Sequence, residues 1–494
     1  MSGLLIKKPL QSARAEGESG QLHRILGPYA LTALGVGAII GAGIFVTTGK
    51  AANQVAGPAL MISYVLAGFT CLLAALCYAE FAAMTPVAGS AYTYAYTTLG
   101  EIFAWIIGWD LILEYAVGAS TVATGWSAYF SNFLSLFPPD WGLKVPEMLN
   151  DSPIAYKDGK FVQTNAIINL PAVIVILVLS AILVKGIKES ANLNAVMVAI
   201  KTGAVLFVIF AGLAFINPQN WEPFAPYGWT GINIFGYPVH GEHRGEQPLG
   251  MIAGAAIIFF AYIGFDAVST QAEEAKNPQR DMPIGIIGSL VICTVLYIAV
   301  VVVLTGMVKY DQLDTKAAVS QAFAQVGMGW AKGLISAAAL AGLTTVLLVM
   351  LLGSARVLMA MSRDGLLPPF FASIHPKFKT PWKGTMTVGL FVALMAGLLP
   401  LDALLEMTNI GTLFAFAVVS GAVLVMRYTN PSAPRPFKVP LMPLTPVLGM
   451  VACLLLMLSL PAQNWYRLIG WMAVGLVLYF AYGRSHSVLG KTQA

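Results

Sequence analysis

Three ionisable side chains, Glu114, Lys201 and Asp266, lie within long apolar segments of the 494-residue sequence, and Asp110 precedes Glu114 by one helical turn. A charge inside a lipid bilayer is costly and usually faces a cavity or a partner, so each is a candidate functional group. Lysine can give up its proton when it is desolvated, whereas arginine stays charged. We therefore expect Lys201 to take part in proton exchange, with Glu114 as a carboxylate that acts with it.

Each of these residues also has a structural interpretation. Lys201 lies about six residues inside its segment, so its side chain could extend along the helix to the cytoplasmic surface. Asp266 and Glu114 could make structural hydrogen bonds or an ion pair with Lys201. Asp110 lies nearer the cytoplasmic end of its segment and is more readily explained as structural. The sequence leaves both interpretations open.

Two of the apolar segments carry glycine where a continuous helix would need a better helix former. Residues 29–49 are uncharged and long enough to cross a bilayer, yet Gly41 and Gly43 lie near their midpoint. Residues 251–271 repeat the pattern with Gly264. A helix break inside a membrane persists only where protein, water or a ligand satisfies the exposed backbone groups. Paired breaks in two halves indicate a transporter binding site, and the alternative is close helix packing at glycine.

The chemistry of such breaks suits a zwitterion. The half-helix that begins near Ala42 presents unpaired N–H groups and the positive end of its dipole, which favour a carboxylate. At the second break, the carbonyl groups of Phe260 and Ile263 could accept hydrogen bonds from an ammonium group. The predicted ligand is therefore an α-amino acid, whose side chain other residues must recognise.

Composition limits the class of protein. The chain is 57% hydrophobic and only 10% charged, which indicates a polytopic membrane protein. Its four cysteines show no metal-ligand spacing, and its five histidines lie outside the apolar segments, so we expect no metal site and no cofactor. The net charge of +5 belongs to the loops and does not indicate nucleic-acid binding. The sequence contains neither a nucleophile motif nor a nucleotide-binding loop, so we do not expect an enzyme.

Apolar runs predict an all-α polytopic membrane protein with about twelve transmembrane helices. Lys and Arg concentrate in alternate connections, and the positive-inside rule places both termini in the cytoplasm. Residues 91–100, with three tyrosines, are predicted to lead into the third span at the membrane interface. The spans are predicted at residues 29–49, 59–84, 101–134, 167–184, 195–216, 250–272, 285–308, 331–355, 384–399, 404–426, 443–461 and 465–483.

The matched breaks in the first and sixth spans suggest two copies of a five-span unit. Because five is an odd number, the second copy must be inserted upside down, as an inverted repeat. The predicted organisation is a cytoplasmic arm at residues 1–27, a first repeat at 28–216, a second repeat at 217–427, and two additional helices with a tail at 428–494.

Several motifs resemble those of known transporters. Residues 41–45 (Gly-Ala-Gly-Ile-Phe) resemble the first-span signature of the amino acid–polyamine–organocation (APC) superfamily. Further blocks are similar to the cationic amino acid transporter family, and together they cover nearly the whole chain. These blocks are residues 77–81 with 89–92, residues 108–115, residues 260–266 running into 273–278, and residues 435–440.

The resemblance implies a leucine-transporter-type fold, with a 5+5 inverted repeat, two extra C-terminal spans, and first and sixth helices unwound around an amino acid. It implies that Lys201 matches a fifth-span lysine implicated in proton coupling. It also implies a substrate carboxylate held by the backbone amides of Ala42, Gly43 and Ile44, and an amino group held by the carbonyls of Ile39, Phe260, Ala261 and Ile263.

The resulting hypothesis is proton-coupled amino acid symport by alternating access, in the plasma membrane, with an L-amino acid and a proton as partners. Cationic and neutral amino acids both remain candidate substrates. For a cationic side chain, Glu114 and Asp266 are the carboxylates near the inferred site. The alternatives are an amino acid exchanger, in which Lys201 is a fixed structural cation, and a membrane sensor that binds amino acids without transporting them.

Overall fold

The structure, a computed structural model, is mostly helical. It describes residues 5–9, 26–85, 90–141, 143–157, 160–186, 191–234 and 237–493. The helices, numbered in chain order, are α1 (Pro28–Ile39), α2 (Thr48–Ala51), α3 (Leu60–Met84), α4 (Ser90–Thr98), α5 (Glu101–Leu134), α6 (Leu170–Lys185), α7 (Ala191–Gly212), α8 (Met251–Ile258), α9 (Phe265–Ser269), α10 (Pro278–Met307), α11 (Ala318–Gln325), α12 (Gly329–Arg363), α13 (Trp382–Leu398), α14 (Leu401–Thr429), α15 (Leu444–Leu458), α16 (Ala462–Leu478), α17 (Arg484–His486) and α18 (Val488–Gln493).

The described residues contain eight helical segments that are long and apolar enough to cross a membrane. Three shorter apolar helices, α6, α13 and α15, accompany them. The predicted spans fall on these segments. One segment, Pro28–Met84, is 57 residues long and contains α1, α2 and α3. The chain is therefore a multi-pass membrane protein built from helices, which satisfy their own backbone hydrogen bonds in lipid.

Strands occur only in the long polar loops of the described residues. The protein is mostly helical, and these loops add short strands that the sequence does not predict, because strands this short leave no clear alternation. They form three antiparallel hairpins: β1 (Ile154–Lys157) with β2 (Lys160–Gln163), β3 (Gly231–Ile234) with β4 (Tyr237–Gly241), and β5 (His243–Arg244) with β6 (Gln247–Pro248).

The first span is interrupted where the glycines predict. Helix α1 ends at Ile39, and Ile40 adopts an extended conformation with φ −67° and ψ 101°. The chain resumes at Gly43 as a π-helical turn, Gly43–Thr47, before α2. Single π-helical turns of this kind are rare and occur often at functional sites.

The sixth span is interrupted in the same way. Helix α8 passes into a 3-10 turn, Phe259–Tyr262, and Ile263 is extended with ψ 132°. Gly264 follows with φ +124°, a conformation that side chains other than glycine rarely adopt, and α9 begins at Phe265. Gly264 therefore permits the break, in addition to allowing close packing.

Backbone hydrogen bonds tie the two broken spans together at both ends. Before α1, the N–H of Leu26 donates to the carbonyl of Glu274 (3.0 Å), and the N–H of Lys276 donates to the carbonyl of Leu26 (2.8 Å). At the opposite end, the N–H of Gly250 donates to the carbonyl of Val55 (2.8 Å). The two spans therefore form one unit, which we call the broken-span pair.

Helix α10 packs directly behind α1. A Cβ atom built on Gly35 would lie 2.4 Å from the hydroxyl oxygen of Ser289, and one on Gly285 would lie 2.8 Å from the Cβ of Leu31. Glycine at these positions lets the two helix backbones approach closely. The α1 half of the first span is thus held between α10 and the site described below.

The predicted N-terminal arm, residues 1–27, falls mostly outside the described residues. Within residues 5–9, the N–H of Lys8 donates to the carbonyl of Tyr96 (3.1 Å), and the Lys8 ammonium pairs with Asp364 (3.0 Å). The tyrosines of α4, Tyr92, Tyr94 and Tyr96, are buried in the protein. They pack against neighbouring aromatic rings; Tyr96 donates to the buried carboxylate of Glu101, and Tyr92 donates to the partly buried carboxylate of Asp364. Their place at the membrane interface stays a prediction.

Candidate functional site at the helix breaks

The two breaks lie directly against each other. A Cβ atom built on Gly43 would lie 2.1 Å from the Cα of Ala261, and one on Gly264 would lie 2.8 Å from the carbonyl oxygen of Ala38. The fold therefore brings together the two groups of residues that the sequence singles out, Ala42, Gly43 and Ile44 on one side, and Phe260, Ala261 and Ile263 on the other. All six are buried.

The first break offers N–H groups. The π-helical turn begins at Gly43, and the first N–H groups of any helix have no acceptor within that helix. The carbonyl of Gly43 points the other way along the chain and accepts hydrogen bonds from the hydroxyls of Thr47 (2.6 Å) and Thr48 (3.3 Å). The start of the half-helix at Gly43 can therefore bind an anionic group.

Carbonyl groups are offered by both spans, by Ile39 at the end of α1 and by Phe260 at the second break, and both already accept hydrogen bonds. The carbonyl of Ile39 accepts from the Tyr297 hydroxyl (2.7 Å), and that of Phe260 accepts from the N–H of Ile263 (3.3 Å). A carbonyl oxygen has two lone pairs, so each can accept one further hydrogen bond. Tyr297 also packs against Tyr64 and Tyr262, with ring centroids 5.8 Å and 5.6 Å apart, and this aromatic cluster fixes its hydroxyl.

Lys201 lies beside the first break. It is fully buried, and its ammonium group donates to the carbonyls of Gly37 and Ile40 (3.2 Å to Ile40) and to the Thr345 hydroxyl of α12 (2.9 Å). The interpretation in which the side chain extends to the surface is wrong. Within the described part of the chain, none of the hydrogen-bond partners of Lys201 is a carboxylate.

Asp266 holds the second break together. One carboxylate oxygen accepts from the N–H of Gly264 (3.1 Å), and the other accepts from the Tyr115 hydroxyl of α5 (2.5 Å). Both oxygen atoms are buried with their partners. This carboxylate therefore stabilises the start of α9 and connects it to α5.

Glu114 and Asp110 lie close to this carboxylate but differ from it. Glu114 interacts electrostatically with Asp266 and Asp110, and both glutamate and aspartate side chains are fully buried. Within the described residues, the carboxylate oxygens of Asp110 and the hydroxyl of Tyr78 have no hydrogen-bond partner. The Thr412 hydroxyl lies beside Glu114, but it also donates to the carbonyl of Thr408 (3.0 Å). Uncompensated buried carboxylates are costly, so this cluster favours binding of a proton or another cation.

Four site residues were not found from the sequence: Tyr115, Tyr297, Thr345 and Asn409. The Asn409 amide donates to the carbonyl of Ile257 (2.9 Å), near the end of α8. The side-chain amide of Asn409 lies inside an apolar span, and this polarity is the one sequence signal that could have identified any of these four residues. A hydroxyl on a tyrosine or threonine is common in membrane helices and gives no such signal.

Ion pairs cross the bundle on the side of the site that faces α2. Lys50 at the end of α2 pairs with Asp402 at the start of α14 (2.7 Å), and Glu406 one turn later pairs with Arg467 of α16 (3.3 Å). The first pair connects α2 of the first span to α14, and the second connects α14 to α16.

No group of three or more metal-ligating side chains occurs among the described residues. The four cysteines are free thiols, and all are buried in the helical bundle.

Comparison with known proteins identifies the family of the chain. Residues 26–479 match the family model for amino acid permeases. The chain is 46% identical to the methylthioribose transporter of Bacillus subtilis (strain 168) over 491 residues, which cover 99% of this chain and 100% of that protein. It is 45% identical to the branched-chain amino acid permease BcaP of the same organism over 488 residues, or 98% of each chain.

More distant relatives occur in eukaryotes. The chain is 36% identical to human cationic amino acid transporter 4 over 444 residues, which cover 87% of this chain and 64% of that protein. These relatives are transporters and not enzymes. With a family match over most of its length and full-length relatives well above 30% identity, the chain belongs to the amino acid permease family of the APC superfamily.

Proposed function

We propose that this protein is a secondary active transporter that carries an L-amino acid together with a proton by alternating access. The observation that supports the proposal most strongly is the contact between the two helix breaks, which brings the start of the half-helix at Gly43 against Ala261 of the second break. A zwitterionic amino acid matches both sides, because its carboxylate needs donors and its ammonium group needs acceptors.

In the proposed site, the N–H groups of Ala42, Gly43 and Ile44 bind the substrate carboxylate. The carbonyls of Ile39, Phe260, Ala261 and Ile263 accept hydrogen bonds from the substrate ammonium group, and Tyr297 orients the first of them. Asp266 fixes the second break for this purpose, since both of its oxygen atoms already accept hydrogen bonds.

The proposed architecture has twelve crossings, reached by counting Pro28–Met84 as two and including the three shorter apolar helices. In it, residues 28–216 and 217–427 are inverted copies of a five-helix unit, and residues 428–494 add two helices and a tail. The corresponding breaks in the first and sixth crossings support this repeat. Lys and Arg placement supports cytoplasmic termini in a plasma membrane.

Proton coupling is assigned to Lys201 and Glu114. A charged lysine has three N–H donors, and Lys201 has three acceptors, two of them carbonyls at the first break. Loss of the proton removes one donor, so the protonation of Lys201 is linked to the shape of the break. Glu114, buried close to the carboxylates of Asp266 and Asp110, is the proposed second proton-binding group.

The favoured substrate has an apolar side chain. The atoms nearest Gly41 belong to the side chain of Val346, and the wall opposite Gly43 is Ala261. The branched-chain amino acid permease is one of the full-length relatives. A second candidate is a methylthioribose-like sugar, because the transporter named for that substrate matches 99% of this chain at 46% identity.

The test uses purified full-length protein in liposomes. Uptake of labelled leucine, arginine and methylthioribose is measured with and without an inward proton gradient. Accumulation of leucine that requires the gradient supports symport of an apolar amino acid. Uptake that requires internal amino acid and ignores the gradient supports the exchanger, and binding without uptake supports the sensor. Accumulation of methylthioribose alone supports the second candidate.

A further inference from the structure

A groove of about 690 Å³ lies on the outer surface of the helical bundle, away from the breaks. One wall is formed by the first turns of α10, and the other by the proline-rich link that precedes α15. The residues that line it and carry the argument are Arg280, Pro283, Ile284, Ile287, Gly288 and Phe437.

The groove lies at one surface of the membrane. From Met282 to its end at Met307, α10 contains no charged residue, which gives about 40 Å of uncharged helix. The hydrocarbon core of a bilayer is about 30 Å thick, so this stretch spans it completely. Arg280 therefore lies at the level of the lipid headgroups, and Pro283 to Gly288 lie just inside the hydrocarbon.

The polar end of the groove is positively charged. Arg280 is exposed, and its guanidinium makes no hydrogen bond or ion pair within the described part of the chain. Lys438, which follows Phe437, is also exposed. The neighbouring carboxylate of Asp281 is buried and accepts from the N–H of Asn277 (3.1 Å), so it does not neutralise Arg280.

We propose that this groove binds one anionic glycerophospholipid of the surrounding leaflet. The guanidinium of Arg280 binds the headgroup phosphate through two parallel N–H donors, and Lys438 adds positive charge to that end. The upper part of an acyl chain lies along Pro283, Ile284 and Ile287 against Phe437. The charge selects an anionic headgroup over a zwitterionic one, and the apolar walls select a lipid over a free phosphate.

The position of the groove gives the lipid a mechanical role. Its α10 wall is the helix that packs on α1 through Gly35 and Gly285. A bound lipid therefore supports the wall behind the α1 half of the first span. We expect the lipid to raise the thermal stability of the protein. This effect does not depend on which substrate the protein carries, or on whether it transports at all.

The test is native mass spectrometry of full-length protein purified in detergent and titrated with phosphatidylglycerol or phosphatidylcholine. Wild type is expected to retain one phosphatidylglycerol at least tenfold more tightly than phosphatidylcholine. Arg280→Gln should remove this preference, and Ile287→Trp, which fills the groove and keeps the charge, should weaken both lipids. Arg363→Gln is the matched control, because Arg363 is also exposed, ends a helix and lies outside the groove.

Three outcomes overturn the proposal. Equal retention of the two lipids by wild type removes the headgroup site. Unchanged phosphatidylglycerol binding in both groove variants places the lipid elsewhere. Displacement of the lipid by millimolar inorganic phosphate shows an anion site without an acyl component. If Arg280→Gln does not fold, Ile287→Trp and the lipid comparison on wild type still decide the matter.

Discussion

The ammonium group of Lys201, a residue of α7, connects the broken first span to α12. Its acceptors are two carbonyls and one hydroxyl. The carbonyls of Gly37 and Ile40 belong to the broken first span, while the Thr345 hydroxyl belongs to α12. Thr345 donates its own hydrogen to the carbonyl of Gly342 (2.7 Å), so it can only accept from Lys201. A change in the charge of Lys201 therefore alters its hydrogen bonds to both the first span and α12.

Replacement of Lys201 should separate coupling from binding. Lys201→Gln should abolish leucine accumulation driven by a proton gradient, while leucine exchange between the two sides falls less than threefold. Lys201→Arg should also fail to accumulate leucine, because arginine keeps its proton at any working pH. Uptake and counterflow in liposomes measure the two activities.

Thr345→Val is the matched control, since it removes one acceptor and leaves the titratable lysine in place. It should lower the rate of coupled uptake but retain its dependence on the gradient. If Lys201→Arg accumulates leucine as well as wild type, Lys201 is a structural cation and the exchanger is the better description.

Gly43 has no room for a side chain. A methyl group at this position would lie 2.1 Å from the Cα of Ala261, so Gly43→Ala must push the two breaks apart. We expect the affinity for leucine, measured by scintillation proximity binding, to fall at least tenfold. Gly203→Ala is the control, because Gly203 is also a helical glycine and nothing lies within 4 Å of its added Cβ. Binding by Gly43→Ala within twofold of wild type would exclude this break from the site.

Among the helices, α16 is attached to α5 by an unusual reciprocal contact. The indole N–H of Trp109 donates to the carbonyl of Trp471 (2.8 Å), and the indole N–H of Trp471 donates to the carbonyl of Trp109 (3.0 Å). The two rings stack with their centroids 4.5 Å apart. One turn earlier on α5, the indole of Trp105 donates to the carbonyl of Gly475 (2.9 Å). This seam connects a helix outside the proposed repeats to one that carries Glu114.

Loss of this seam should destabilise the protein without changing substrate choice. Trp471→Ala should lower the free energy of unfolding by about 3 kcal/mol, because it removes a large packed ring. Trp471→Phe, which keeps a stacked ring and loses one hydrogen bond, should cost about 1 kcal/mol. Denaturant unfolding in detergent measures both, and Tyr466→Ala on the exposed face of α16 should have little effect. A change in the leucine-to-arginine preference of Trp471→Phe would contradict this structural role.

The helices and their breaks could be predicted from the sequence, whereas the hairpins and the links between the two broken spans could not. Apolar runs predict the helices because each must cover its backbone in lipid, and Gly41, Gly43 and Gly264 predict the breaks because glycine weakens a helix. The hairpins were missed because four-residue strands in polar loops carry no period. The links from Leu26 to Glu274 and Lys276 were missed because backbone hydrogen bonds leave no side-chain signal. Asp266 was predicted without its partner Tyr115 for a different reason: a tyrosine hydroxyl is common in membrane helices, and only the fold brings it to the carboxylate.

Across the whole molecule, the ion pair between Lys50 and Asp402 closes the face of the bundle on the α2 side of the site. The two side chains are 12% and 36% exposed, so the pair contributes about 1 kcal/mol or less. A change of 1 kcal/mol alters a two-state population about fivefold. The pair can therefore shift the equilibrium between the closed and open forms of this face, but it is too weak to prevent opening.

Breaking the pair should expose the site from that face. In a Val46→Cys background, Lys50→Ala should raise the rate of labelling by a membrane-impermeant thiol reagent about threefold to fivefold, since Val46 is buried in wild type. The exchanged pair, Lys50→Asp with Asp402→Lys, should restore slow labelling. Lys144→Ala is the control, because its pair with Glu147 is almost fully exposed. Equal labelling in all four proteins would show that the pair does not guard the site.

The broken-span pair is held together at both ends by main-chain hydrogen bonds, and at its middle by glycine against a backbone. Point mutations change side chains but leave peptide groups in place, so the hydrogen bonds at the two ends tolerate most substitutions, whereas Gly43 in the middle does not. The side chains that line the site around the broken-span pair can vary, and the transported substrate can change with them. A few substitutions among the residues that line the site can therefore change the substrate specificity, while the backbone contacts to the substrate stay the same. Full-length relatives named for a sugar thioether and for branched-chain amino acids fit this pattern.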